Sequence, residues 1–137
     1  LVSLVPNGLP LLVGYGTLGL LDYRLDPTAA LIFTVGLGIA VDDTIHLLAR
    51  FREVQSQKVG VDEAIIESVS KSGRAILVTT IVLVIGIGTN LLSAFSPIQA
   101  MALAGVTIIS AAFVCDITVL PVLLKFISPR DSATHKA

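Results

Sequence analysis

Hydrophobic residues run along this chain in long blocks separated by short polar breaks, and the blocks are long enough to be helices that cross a bilayer. Four are read from the pattern: residues 1–21, 28–49, 75–92 and 98–126. A spanning helix needs about 20 mostly apolar residues, because its backbone must satisfy its own hydrogen bonds where water is absent. Pro6, Gly8 and Pro10 interrupt the first block and predict an entry bend or kink. The polar turn Asp22-Tyr-Arg-Leu-Asp-Pro27 closes it, and Ser93-Ala-Phe-Ser-Pro97 separates the last two blocks.

The long polar connection, residues 50–74, has a pattern of its own. Within GVDEAIIESVSKSG, the apolar positions Val61, Ala64, Ile65 and Val69 recur at helical spacing, with acids on the other face. This predicts an amphipathic helix, lying either along the membrane interface or solvated against cytoplasmic neighbours. The final segment, residues 128–137, loses all apolar periodicity and reads as a polar C-terminal tail. The expected fold is therefore all-α: a bundle of four transmembrane helices over residues 1–127, plus one amphipathic connecting helix.

Composition agrees with this picture. Apolar residues make up 54% of the chain and charged residues 14%, against roughly 25% charged in soluble domains; mean hydropathy is +0.91. A net charge of -1 and the lack of a basic stripe argue against nucleic acid as a partner. Cys115 is the single cysteine and sits in an apolar run, where it packs as a small hydrophobe. His46 and His135 lie far apart, and no metal-ligand cluster is seen. The chain begins without Met, inside hydrophobic sequence and with no signal-peptide pattern, so it is expected to be a fragment missing an N-terminal part.

Positive residues set the expected orientation. Arg50, Arg52, Lys58, Lys71 and Arg74 fall in the long connection, and Lys125, Arg130 and Lys136 at the C-terminal end; Arg24 alone falls elsewhere. The positive-inside rule places that connection and the C-terminus in the cytoplasm. Small residues (Gly14, Gly16 and Gly19; Gly36, Gly38 and Ala40; Gly86 and Gly88) point to close helix packing, since helices in lipid associate where backbones can approach.

Asp42 and Asp43 are the sharpest feature. An Asp at the centre of a membrane helix costs about 2.5–3.5 kcal/mol, and such residues face the bundle interior or water and mark ion paths, proton relays or ligand sites. The apolar run continues past them through Ile45, Leu47 and Leu48, which argues against a helix that ends early and leaves them in water. His46, one turn on from Asp42, shares its face and is either a relay member or a structural hydrogen-bond partner. Asp116 is a second intramembrane acid, either a relay partner or a group that caps and orients a neighbouring helix. Thr79 and Thr80 are candidate donors to a carboxylate, although Thr in such helices often bonds its own backbone. Arg74, at the mouth of its span, is also explained by snorkelling.

These residues, in order, resemble the RND superfamily of transporters, and within it the MMPL-like and hopanoid-type exporters. The resemblance rests on GIAVDDTIHLLARFRE (38–53), GVDEAI (60–65), SGRAILVTTIVLVIG (72–86) and DITVLPVLL (116–124), and it covers nearly the whole chain. It implies the last four helices of the C-terminal six-helix half, and a relay in which Asp42 and Asp43 carry protons with Arg74 and Thr79 as helpers. It implies no cofactor, only the proton motive force, with hydrophobic or lipid cargo moved across a bacterial inner membrane. Many drug-efflux relatives carry a lysine rather than two acids in this half, so the relay partners differ. Implied partners are membrane lipids, the missing part of the same transporter and the lipid-like substrate; homo-oligomerisation is left open. Sterol-sensing and Patched-like proteins share this membrane core, which leaves a lipid-binding regulatory domain as the alternative. Enzyme motifs fail: Ile39 stands where an intramembrane aspartyl protease needs Asp after Gly36-Leu-Gly38, and His46 stands at the fifth position of a DDxxD diphosphate site.

Overall fold

The computed structural model describes residues 4–23, 27–57 and 60–127. Among them are four α-helices and no strand: α1 Leu4–Leu20, α2 Pro27–Ser56, α3 Val61–Gly88 and α4 Ser96–Ile127, with a 3₁₀ turn over Thr89–Leu92 between the last two. Three segments are long and apolar enough to cross a membrane: Pro27–Ser56, Val61–Leu92 and Ser96–Phe126. Helix α1 has 17 residues and rises about 25 Å, short of the roughly 30 Å of a bilayer's hydrocarbon. Arg24, Lys58, Arg130, His135, Lys136 and the tail 128–137 lie outside the described residues.

The amphipathic connection differs from expectation. It is not a separate helix: residues from Val61 onward run unbroken into the third span as α3. Gly73 is a single glycine with no proline nearby, and one glycine weakens a helix by only about 1 kcal/mol. The buried stripe Ala64, Ser68, Gly73, Ile76 and Thr80 also continues straight through the expected boundary. Helix α2 likewise passes its expected end at residue 49, because Leu47, Phe51 and Val54 extend its buried face to the last turns. Asp42 and Asp43 therefore sit at the middle of a 30-residue helix.

Helix α4 is the central column, touching α1, α2 and α3, whereas α1 and α3 do not meet. Its buried line falls on every fourth residue: Ala100, Ala104, Ile108, Ala112, Asp116, Leu120 and Leu124. On a helix of 3.6 residues per turn this line drifts about 40° per step, so it winds around α4 and meets its neighbours in succession. The packing forms two apolar layers. One joins Leu18, Ala29, Ile32, Ala100, Ala104 and Ile108; the other joins Leu47, Phe51, Val54, Ala64, Ile76, Leu120 and Leu124. Between them lie Asn7, Thr44 and Asp116, all buried.

Ile108 locks the first layer. A Cβ on Gly14 of α1 would collide with its side chain, and one on Gly36 of α2 would come within 2.7 Å of its Cγ2. Gly105 is as tightly placed, its imagined Cβ lying 3.0 Å from Ile87 and 3.1 Å from Ile32. Of the other glycines expected at helix contacts, Gly88 would bring a Cβ into ordinary contact with Val106 at 3.8 Å. Gly38 and Gly86 pack on nothing among the described residues, and neither do Gly16 and Gly19. They lie on the outer faces of their helices, where a small residue has no neighbour to admit.

Local chemistry fixes the helix ends. Helix α1 stops in a Schellman motif: the Tyr23 N–H donates to Leu18 O at 3.0 Å and the Asp22 N–H to Gly19 O at 3.4 Å, with Asp22 left-handed at φ 54°. Tyr23 and Leu18 both join the first apolar layer, completing the motif. Because glycine adopts that conformation without strain, Asp22→Gly is expected to raise stability by about 0.5–1 kcal/mol, measured by unfolding in detergent. At the opposite end of the bundle, Lys125 Nζ bonds Asp62 Oδ1 at 2.9 Å and ties the last turn of α4 to the first turn of α3. The Gln99 amide donates to Ser93 O at 2.7 Å, holding the turn before α4.

Candidate functional site

The mid-helix carboxyls of α2 point in different directions. Residues one apart on a helix diverge by about 100°, so Asp42 and Asp43 take neighbouring flanks of one groove while Thr44 turns to the buried side. Asp42 pairs with His46 along the helix, Nε2 to Oδ1 at 3.5 Å, and both side chains are 72% exposed. In a helix of spanning length, so polar a face cannot rest against lipid tails. It is covered by water or by other protein.

Asp42, Asp43 and His46 open onto a groove of about 570 Å³ between α2 and α3. Arg50 and Glu53 extend its α2 wall, while Lys71, Ser72, Ile76 and Thr79 form the wall from α3. The charges in it are mostly matched: Arg50 donates to Glu53 at 2.8 Å, and Lys71 donates to Glu67 at 2.6 Å. A groove with this lining can hold a file of water between the acids and the end of the bundle where the cations gather.

The expected helpers divide. Thr79 lines the groove, but its hydroxyl donates to Ile76 O at 2.9 Å rather than to a carboxylate. Arg74 is exposed and is not among the lining residues; Lys71 and Arg50 are the cations there. Thr80 is buried on the other face of α3. No group of three or more metal-ligating side chains occurs among the described residues.

Asp116 is not in the groove. Its side chain is 1% exposed and meets Thr44, whose hydroxyl lies 2.8 Å from Asp116 Oδ1, 2.8 Å from Asn7 Oδ1 and 2.9 Å from Ala40 O. This junction joins α1, α2 and α4 through polar side chains. Asp116 Oδ2 is buried without a partner among the described residues. Asp43 is near enough to act on Asp116 electrostatically, so the groove and the junction are neighbours on opposite sides of α2. Sequence reasoning missed Asn7 and Thr44. The usable signal was an amide within the first apolar block, since an unbonded polar group in lipid costs several kcal/mol.

Packed helices, three of them of spanning length, with carboxylates at mid-membrane depth define a polytopic helical membrane protein. The chain belongs to the MMPL family, whose model matches residues 14–137. It is 34% identical to the MJ1562 protein of Methanocaldococcus jannaschii over 131 residues, covering 90% of this chain and 33% of that protein. It is 26% identical to the trehalose monomycolate exporter MmpL3 of Mycolicibacterium smegmatis over 141 residues, covering 96% of this chain and 14% of the exporter. The corresponding exporter of Mycobacterium tuberculosis is 27% identical over 144 residues. The chain thus spans a third or less of the length of these relatives. No solved structure matches it at a significant level.

Proposed function

We propose that this chain is part of the membrane domain of a proton-driven RND-type transporter that exports hydrophobic or lipid-like substrates, with Asp42 and Asp43 carrying the proton. The observation behind this reading is the pair's position: two carboxyls at the centre of α2 that both line a groove with ionic walls, Asp42 paired with His46 on its exposed side. Among the described residues neither carboxyl is paired with a lysine or an arginine. The outward face is where the rest of the transporter covers the bundle, and the groove is the route by which water reaches the pair. Lys71 and Arg50, rather than Arg74, supply the positive charge of that route, and Thr79 lines it.

On this reading α1 is a fourth membrane helix. The groove opens to the cytoplasm, because Arg50, Arg52, Lys71, Arg74 and Lys125 gather at that end. The lipid-like cargo follows from the kinship with mycolate exporters. A sterol-sensing role takes second place, since it gives the α2 carboxyls no task. The test is export of a fluorescent lipid by the intact transporter in vesicles under an imposed pH gradient. Export should follow the gradient and stop when a protonophore collapses it; export indifferent to the gradient would overturn the proposal.

A further inference from the structure

The Asn7-Thr44-Asp116 junction can be resolved by counting protons. A hydroxyl donates once and accepts through two lone pairs, and an ionised carboxylate only accepts. Thr44 reaches three acceptor oxygens at hydrogen-bond length, Asn7 Oδ1 and Asp116 Oδ1 at 2.8 Å and Ala40 O at 2.9 Å. With Asp116 ionised, the single Thr44 hydrogen is the only one offered to all three, and a contact that it does not serve sets two bare oxygens together. Asp116 Oδ2 would then carry charge, buried, with no donor. With Asp116 protonated, the acid donates to the Thr44 hydroxyl, and that hydroxyl shares its hydrogen between the Asn7 and Ala40 carbonyls. Oδ2 is left as a neutral oxygen, a far smaller burden than an unpaired charge. A sodium ion does not fit the same contacts, since two oxygens bound side by side to one ion at about 2.4 Å stand about 3.4 Å apart rather than at hydrogen-bond length.

We propose that Asp116 is a buried proton-binding site separate from the α2 pair, and that its proton latches α1 to α2 and α4 through Thr44 and Asn7. When the proton leaves, Thr44 turns its hydrogen towards the carboxylate, the bond to Asn7 is lost, and α1 loosens. The latch is closed at low pH and opens as pH rises. The groups that face Asp116 are consistent with this: Asn7 from α1, Thr44 and the Asp43 carboxyl from α2, and Cys115 beside it on α4. To the layer next to it helix α3 offers Ala64 and Ile76, with Val61, Ile65 and Val69 packed against them, all apolar. Among the described residues no basic side chain hydrogen-bonds Asp116 or appears among the charges acting on it. The latch stands whether or not the α2 pair relays protons.

The test uses the intact transporter in lipid nanodiscs. Infrared spectra should contain a protonated-carboxyl band at neutral pH that is lost in Asp116→Asn and kept in the Asp42→Asn, Asp43→Asn double variant. A spectrum unchanged by Asp116→Asn would overturn the site. Hydrogen exchange across residues 4–20, corrected for intrinsic rates, should quicken roughly fivefold at alkaline pH, the loss of about one hydrogen bond. In Asp116→Asn, which donates at every pH, that dependence should vanish. In Thr44→Val, which has no bridge, exchange should be fast at every pH. Equal pH dependence in all three proteins would overturn the latch.

Discussion

Asp43→Asn is expected to lower proton-coupled export by the intact transporter about a hundredfold or more, with the protein still folded and inserted. Proton transfer by a positioned side chain is worth roughly 10²–10⁴ in rate, and Asn keeps the shape of Asp while removing the proton it carries. Asp43 is half-buried on the groove, so Asn there leaves the packing of α2 intact. Asp42→Asn is expected to be nearly as severe, because the two carboxyls act as neighbours at one depth of the membrane. His46→Gln, at the partner of Asp42 rather than at a carboxyl, should cost much less. The measurement is acidification of vesicles by a pH-sensitive dye alongside export of the lipid probe. Unchanged flux in either aspartate variant would remove that residue from the mechanism.

The second large effect is steric. Gly36→Leu should destabilise the bundle by about 3 kcal/mol or more, since a Cβ alone already comes within 2.7 Å of the fully buried Ile108 and overpacking a tight core costs about 1–3 kcal/mol even when neighbours adjust. Ile108→Ala should itself cost about 2–5 kcal/mol through the cavity it leaves. Combined, the two changes should cost far less than their sum, because each supplies the space or the volume that the other removes. Unfolding titrations of the four proteins in mixed micelles measure this directly. Strict additivity would mean that α2 and α4 do not meet at Gly36 and Ile108 as described.

Much of the fold was written in the hydrophobic blocks. The apolar runs around residues 28–49 and 98–126 are long and unambiguous, and an all-helical bundle follows from them. The boundary at residues 74–75 was not legible, because the switch from polar to apolar residues there changes only the surroundings of α3 and not its backbone; Gly73 alone cannot break a helix. Glycines were half legible. Composition marks Gly36 and Gly38 alike, but only the helix that crosses at Ile108 distinguishes them, and that contact is between residues 72 positions apart. The site behaved similarly. Asp42 and Asp43 stand out wherever they fall, because any carboxyl in an apolar run is conspicuous. Thr44 does not, since threonine in a membrane helix usually bonds its own backbone, as Thr79 and Thr118 do here. Its second and third partners come from other helices, and no local pattern announces them.

The two apolar layers on either side of the polar junction have an electrical consequence. A transporter run by a gradient must let protons reach its acids without letting them pass freely from side to side. Leu18, Ile32, Ala100 and Ile108 form a dry gasket above Asn7, Thr44 and Asp116, while Phe51, Leu120 and Leu124 close the bundle below. In the proposed transporter the gasket is an insulator in series with the acids, so that the machine idles without draining the battery that drives it. Ile108, wedged between glycines of two helices, is the tightest turn of that seal.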